Sequence, residues 1–213
     1  PPRSTLFPYT TLFRSDLPQQ EEASRLGMWT FLATEILFFG GLFTSYLVYR
    51  STYPQAFATG SEHGNVLIGT INTAILLTSS FTMALSVHAA QEGKNKKTAW
   101  LLLLTLLFGL AFLGLKGLEY SEHISEHMLP GAHFTPQLSH PVEMYFYLYF
   151  VMTGLHSLHV LVGVGVLAFM LLLAWRKRFS AEYHTPMEIS GLYWHFVDLV
   201  WVFLYLLFSL IHK

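Results

Sequence analysis

The sequence predicts an all-α membrane protein, a bundle of five transmembrane helices with a cytoplasmic N-terminus and a periplasmic C-terminus. Three observations predict it. Of the 213 residues, 53% are hydrophobic and only 12% are charged, with a mean hydropathy of +0.43, far from the composition of a soluble domain. Five stretches, 26–49, 66–88, 98–118, 144–175 and 192–211, stay apolar over the length that a helix needs to cross a bilayer. Basic residues collect in alternate connectors: Lys94, Lys96 and Lys97 between the second and third spans, and Arg176, Lys177 and Arg178 between the fourth and fifth. Loops of that kind stay cytoplasmic, which fixes the expected orientation.

The same composition excludes several functions. A net charge of −1 leaves no basic surface for nucleic acid. With no cysteine there is no disulfide, no thiolate metal site and no cysteine nucleophile. The 11 histidines and the carboxylates are the only candidate metal ligands.

Taken in order, residues 1–15 (PPRSTLFPYTTLFRS) match, residue for residue, the in-frame translation of a widely used sequencing adapter. They are set aside as an artefact. Residues 16–25 form a polar leader, and the transmembrane domain runs from 26 to 213. In the first span Glu35 lies nine residues in, roughly 14 Å deep at helical rise. A carboxyl there needs a partner. It serves as a proton relay or lipid head-group contact, or it is a neutral packing contact. In the second span Asn72, Thr73, Thr78, Ser79 and Ser80 supply short hydrogen-bonding side chains, and Gly69 permits close helix approach. The third span ends near Leu118, so Glu119, Glu122, His123 and Glu126 are expected on a solvated helical extension.

In the fourth span His156 and His159 share a face at i, i+3. A structural pair, each ring bonded to a neighbouring helix, is expected rather than a metal site. In the fifth, Gly191, Trp194, His195, Asp198, Trp201 and Tyr205 form a polar-aromatic stripe that must face protein. His195 and Asp198, one turn apart, are expected to neutralise each other, and Trp194 suits an interfacial position. There is no haem-attachment CxxCH, phosphate loop or HExxH. The chain is not expected to catalyse alone.

These residues resemble the haem-copper oxidase subunit III family over about residues 25–213. The run Trp194-His195-Phe196-Val197-Asp198 with Trp201 and Leu204-Tyr205 is similar to its most recognisable motif. Thr34-Glu35-Ile36-Leu37-Phe38-Phe39 resembles its buried-glutamate helix, and Asn72-Thr73 with Leu76-Leu77 and Ser79 the next. Glu119-Tyr120, Thr153-Gly154-Leu155-His156-Ser157-Leu158-His159 with Gly163, and Glu188 follow in family order. The run 19–25 resembles the leader of five-helix bacterial members, with upstream helices lost by truncation as the alternative.

The resemblance implies a non-redox subunit of a respiratory cytochrome c oxidase in a bacterial plasma membrane. It implies a haem-containing catalytic subunit I and a copper-containing subunit II as partners, with haem and copper held there and no metal in this chain. It also implies phospholipid in a cleft, support of proton uptake, and a polar core of Glu35, Asn72, Glu119, His156, His159, Glu188, Trp194, His195 and Asp198. Glu35, Arg176 and Arg178 are the implied lipid contacts. An accessory subunit of a nitric oxide reductase system shares these features. A proton-coupled transporter using Glu35, His156 and Asp198, and a metalloenzyme built on the histidines, are the readings from other classes.

Overall fold

The computed structural model describes residues 17–62, 66–125, 128–130, 140–179 and 184–210; the segment 1–15 and Glu126 lie outside them. Six α-helices are formed: α1 (Leu17–Thr52), α2 (Pro54–Glu62), α3 (Val66–Gln91), α4 (Asn95–Ser125), α5 (His140–Trp175) and α6 (Thr185–Tyr205). A single π-helical turn, Leu206–Leu210, continues α6. Five of the helices are long and apolar enough to cross a membrane, because only a helix can satisfy its own backbone in hydrocarbon. Among the described residues there is no strand.

Two connectors differ from their sequence reading, and proline explains both. Pro54 and Pro186 sit in first turns, where the missing N–H has no helical partner to lose. Pro54 therefore starts the short α2, and Pro186 lies inside the first turn of α6, which begins seven residues before the apolar run at 192. The polar leader is likewise the first turns of α1.

The ends of α3 and α5 turn in the same way. Gly93 and Lys177 both have positive φ, 71° and 52°. At each end the following amide reaches back five residues, Lys94 N to Ala89 O at 2.9 Å and Arg178 N to Leu173 O at 3.1 Å, the bonding of a Schellman stop. The two turns are then clasped: Asn95 Nδ2 donates to Phe179 O at 2.8 Å and Phe179 N to Asn95 Oδ1 at 3.3 Å. This brings the basic residues of both loops to one end of the bundle, where Lys96, Lys97, Arg176, Lys177 and Arg178 are exposed.

Helices α3, α4, α5 and α6 pack in a closed ring, each on its two neighbours, while α1 lies outside against α6 and α5. Helix α2 folds back on α5, with Gly60 pressed on the Tyr145 ring. A Cβ at Gly60 would lie 2.4 Å from Tyr145 Cδ1, and Tyr145 is itself buried. Gly60→Ala is therefore expected to cost about 1–3 kcal/mol by overpacking, measured as a lower unfolding midpoint in detergent.

Candidate functional site

Helix α6 organises the polar interior. Its stripe faces protein: Gly191, Trp194, Asp198 and Trp201 are buried, and His195 and Tyr205 half-buried. Trp194 is not interfacial but 1% exposed. Its indole lies between two helices at glycines, for a Cβ at Gly109 or Gly163 would come within 2.8 Å of the ring. Trp194 Nε1 donates to Ser79 Oγ at 3.0 Å, and Trp201 Nε1 to Thr73 Oγ1 at 3.2 Å. Thr70 and Tyr205 hydroxyls are 2.7 Å apart. Thr73, Ser79 and Ser80 of α3 thus act as expected, as helix-to-helix contacts, whereas Thr78 is exposed and bonds its own helix and Asn72 makes no hydrogen bond among the described residues.

The neutralisation of Asp198 by His195 is not formed. The imidazole Nδ1 instead lies 2.6 Å from Ser80 Oγ on α3. Both Asp198 oxygens are buried without a hydrogen-bond partner among the described residues, as are both amide atoms of Asn72. The helix spacing allowed the pair, but Ser80 on the neighbouring helix offers the imidazole a closer contact.

A second cluster was missed by the sequence reading. Lys116, deep in α4, is 4% exposed and Glu119 7%. Lys116 Nζ donates to Glu119 Oε1 and to Tyr149 OH, both at 2.8 Å, and the Tyr149 phenol donates to Glu119 Oε1. The ammonium also stands 5.1 Å from the Trp201 ring centroid, within cation–π range. His123 is buried, bonded through Nδ1 to Glu119 O at 2.8 Å and stacked on Tyr149. The solvated extension expected here is corrected: α4 continues to Ser125 against α5, so Glu119 and His123 turn inward and Glu122 alone of the three is exposed. The signal was an i, i+3 Lys–Glu pair inside an apolar run.

His156 and His159 diverge. His156 is fully buried among Phe112 and Trp201, with no partner for either ring nitrogen among the described residues. His159 behaves as the expected structural histidine: Nδ1 donates to Leu155 O at 2.8 Å, and Nε2 is 3.1 Å from Glu35 Oε2. With Nδ1 fixed as a donor, one proton remains for the contact between Nε2 and the carboxyl. The pair is neutral whether that proton sits on Glu35 or on His159. Among the described residues no three histidine, aspartate or glutamate side chains converge as a metal set.

Beside this pair a cleft of about 530 Å³ opens between α1, α5 and α6, lined by Met28, Phe31, Val166, Met170, Ile189 and Tyr193 with Gln20, Glu21 and Ser24 at its rim. Tyr193 OH donates to His159 O at 3.0 Å, and Phe31 is one turn from Glu35, which joins cleft and pair. Glu188 closes the same end: Arg25 Nη2 at 2.9 Å, Gln91 Nε2 at 2.8 Å and His184 Nε2 at 3.2 Å meet its two oxygens. None of the three implied lipid contacts, Glu35, Arg176 and Arg178, lines the cleft itself; Glu35 lies one turn from its lining residue Phe31.

A family model described as Cytochrome c oxidase subunit III matches residues 14–211. Among curated proteins, the chain is similar to cytochrome c oxidase subunit 3 of Oncorhynchus mykiss, 36% identical over 198 residues that cover 88% of this chain and 69% of the relative. The Gadus morhua protein of the same name is 35% identical over 201 residues, covering 89% and 70%. That of Pelomedusa subrufa is 33% identical over 201 residues.

Proposed function

The chain belongs to the cytochrome c oxidase subunit III family, and from that premise we propose that it is a supporting, non-redox subunit of a respiratory oxidase, seated beside subunits that hold haem and copper. It is a multi-pass membrane protein of an oxidoreductase complex. The basic residues gathered at the clasped turns support a cytoplasmic side for that end of the bundle, with the start of α1 inside and the end of α6 outside as the orientation proposed.

The observation that carries the functional reading is the neutral Glu35–His159 pair next to the apolar cleft. Its volume and lining suit an acyl chain, and its polar rim a head group. Such a lipid would pack on Phe31, one turn from the Glu35 carboxyl, and on Tyr193, which is bonded to His159 O. The shared proton can sit on either Glu35 or His159 while the pair keeps no net charge in hydrocarbon. This supports proton supply to the catalytic subunit rather than chemistry of its own.

Glu35→Gln in the assembled oxidase is expected to leave initial oxygen reduction within about twofold, less than 1 kcal/mol in barrier, while changing co-purified phospholipid or the rate of inactivation during turnover. Loss of initial activity with normal assembly would contradict this role.

A further inference from the structure

A second, much smaller cavity of about 30 Å³ lies beside the Lys116–Glu119 pair, where the four helices of the ring meet. Its polar wall is built from three of them: Lys116 and Glu119 on α4, Tyr149 and Thr153 on α5, and Tyr205 on α6. Thr153 is placed there by its own helix, one turn after Tyr149, and donates from Oγ1 to Tyr149 O at 2.6 Å. Tyr149 in turn is held by the ammonium and the carboxylate of the pair. The Trp201 ring, over which the ammonium stands, forms part of the remaining wall.

Size limits what can sit there. One water needs roughly 10–15 Å³, so the cavity accepts it, whereas an acyl chain or a head group does not fit. Charge then separates a water from an ion. The side chains of Lys116 and Glu119, 5% and 9% exposed, cancel each other across 2.8 Å. A cation would meet the ammonium and an anion the carboxylate, and either would leave a net charge buried in the bundle. A dry space is costly as well, because it puts an ammonium and a carboxylate against a wall that solvates neither. A buried water makes about two to four hydrogen bonds, and the five polar side chains of the wall can supply them.

We infer that this cavity is a site for one ordered water, which bridges the Lys116–Glu119–Tyr149 cluster on one side and the Tyr205 hydroxyl on the other. The Tyr205 and Thr70 hydroxyls are 2.7 Å apart, and Thr70 is exposed, four residues after the start of α3 and at the end of the bundle away from the basic turns. The water completes a hydrogen-bonded line from that exposed hydroxyl to the buried carboxylate, and it ties α6 to the α4–α5 cluster. The site stands independently of the oxidase role.

The direct test is a high-resolution density map of the full chain as recovered from native membranes. A discrete peak is expected within about 2.5–3.2 Å of the Tyr205 hydroxyl and of Lys116 Nζ or a Glu119 oxygen. No peak among well-ordered side chains would overturn the inference, and so would a peak that turns into a heavier scatterer when bromide replaces chloride or rubidium replaces sodium. A second test reads the bridge as coupling. Lys116→Met/Glu119→Met removes both charges together, the change that a buried ion pair tolerates best. Tyr205→Phe removes one hydroxyl and its Thr70 contact, a loss common to both backgrounds. In the parent, Tyr205→Phe is expected to raise the unfolding constant in a denaturing-detergent titration by at least about threefold more than in the Lys116→Met/Glu119→Met background, because residues that share a partner are coupled. Equal effects in the two backgrounds would overturn the bridge. If the double variant does not fold, the map decides alone.

Discussion

Lys116→Met is expected to destabilise the protein by about 3–5 kcal/mol, because it strands a buried carboxylate rather than merely removing a contact. Glu119 is 7% exposed, and its remaining side-chain partner would be the Tyr149 phenol, a neutral donor. The variant also loses the ammonium packed over Trp201. The double variant Lys116→Met/Glu119→Gln should recover to within about 1–2 kcal/mol of the parent, since removing both charges removes the desolvation cost as well as the attraction. Thermal unfolding in mild detergent reads both. Unfolding midpoints of Lys116→Met equal to the parent would show that the pair is not a structural element.

The second large effect is expected at Trp194. Trp194→Ala should cost about 3–5 kcal/mol by opening a cavity where α3, α4, α5 and α6 meet, for the indole fills the space left by Gly109 and Gly163 and holds Ser79. Trp194→Phe should cost less, since it keeps most of the ring but leaves Ser79 without its donor; about 1–2 kcal/mol is expected. Gly163→Ala, which brings a Cβ within 2.9 Å of Trp194 Cε3, should fall in the overpacking range of about 1–3 kcal/mol. A ranking with Trp194→Phe as damaging as Trp194→Ala would mean that the hydrogen bond, not the packing, dominates.

These residues show what the sequence could and could not disclose. The spans were legible because hydrophobic length in a membrane leaves one structural option. Their ends were not: the reading stopped the third span near Leu118 at the polar residues, but the helix runs on to Ser125 because α5 gives those residues a buried face. Lys116 is hidden for the same reason, since the end of the apolar run at Leu118 sets its partner Glu119 on a solvated extension. The α6 stripe was legible from its period. Partner choice within it was not, as His195 had two candidates, and only the position of α3 shows that it is engaged by Ser80 and not by Asp198. His156 and His159 illustrate the limit of helical spacing. Three residues apart on one helix, they face Trp201 and Glu35 respectively.

The proposed role requires the chain to work as part of an oxidase rather than alone. The most direct measurement is the absorption spectrum of the complex recovered by a tag on this chain from native membranes in mild detergent. Stoichiometric haem and copper in partner subunits, with oxygen consumption driven by a reduced electron donor, is the predicted result. A chain recovered by itself, without haem and without oxidase activity in the same fraction, would contradict it.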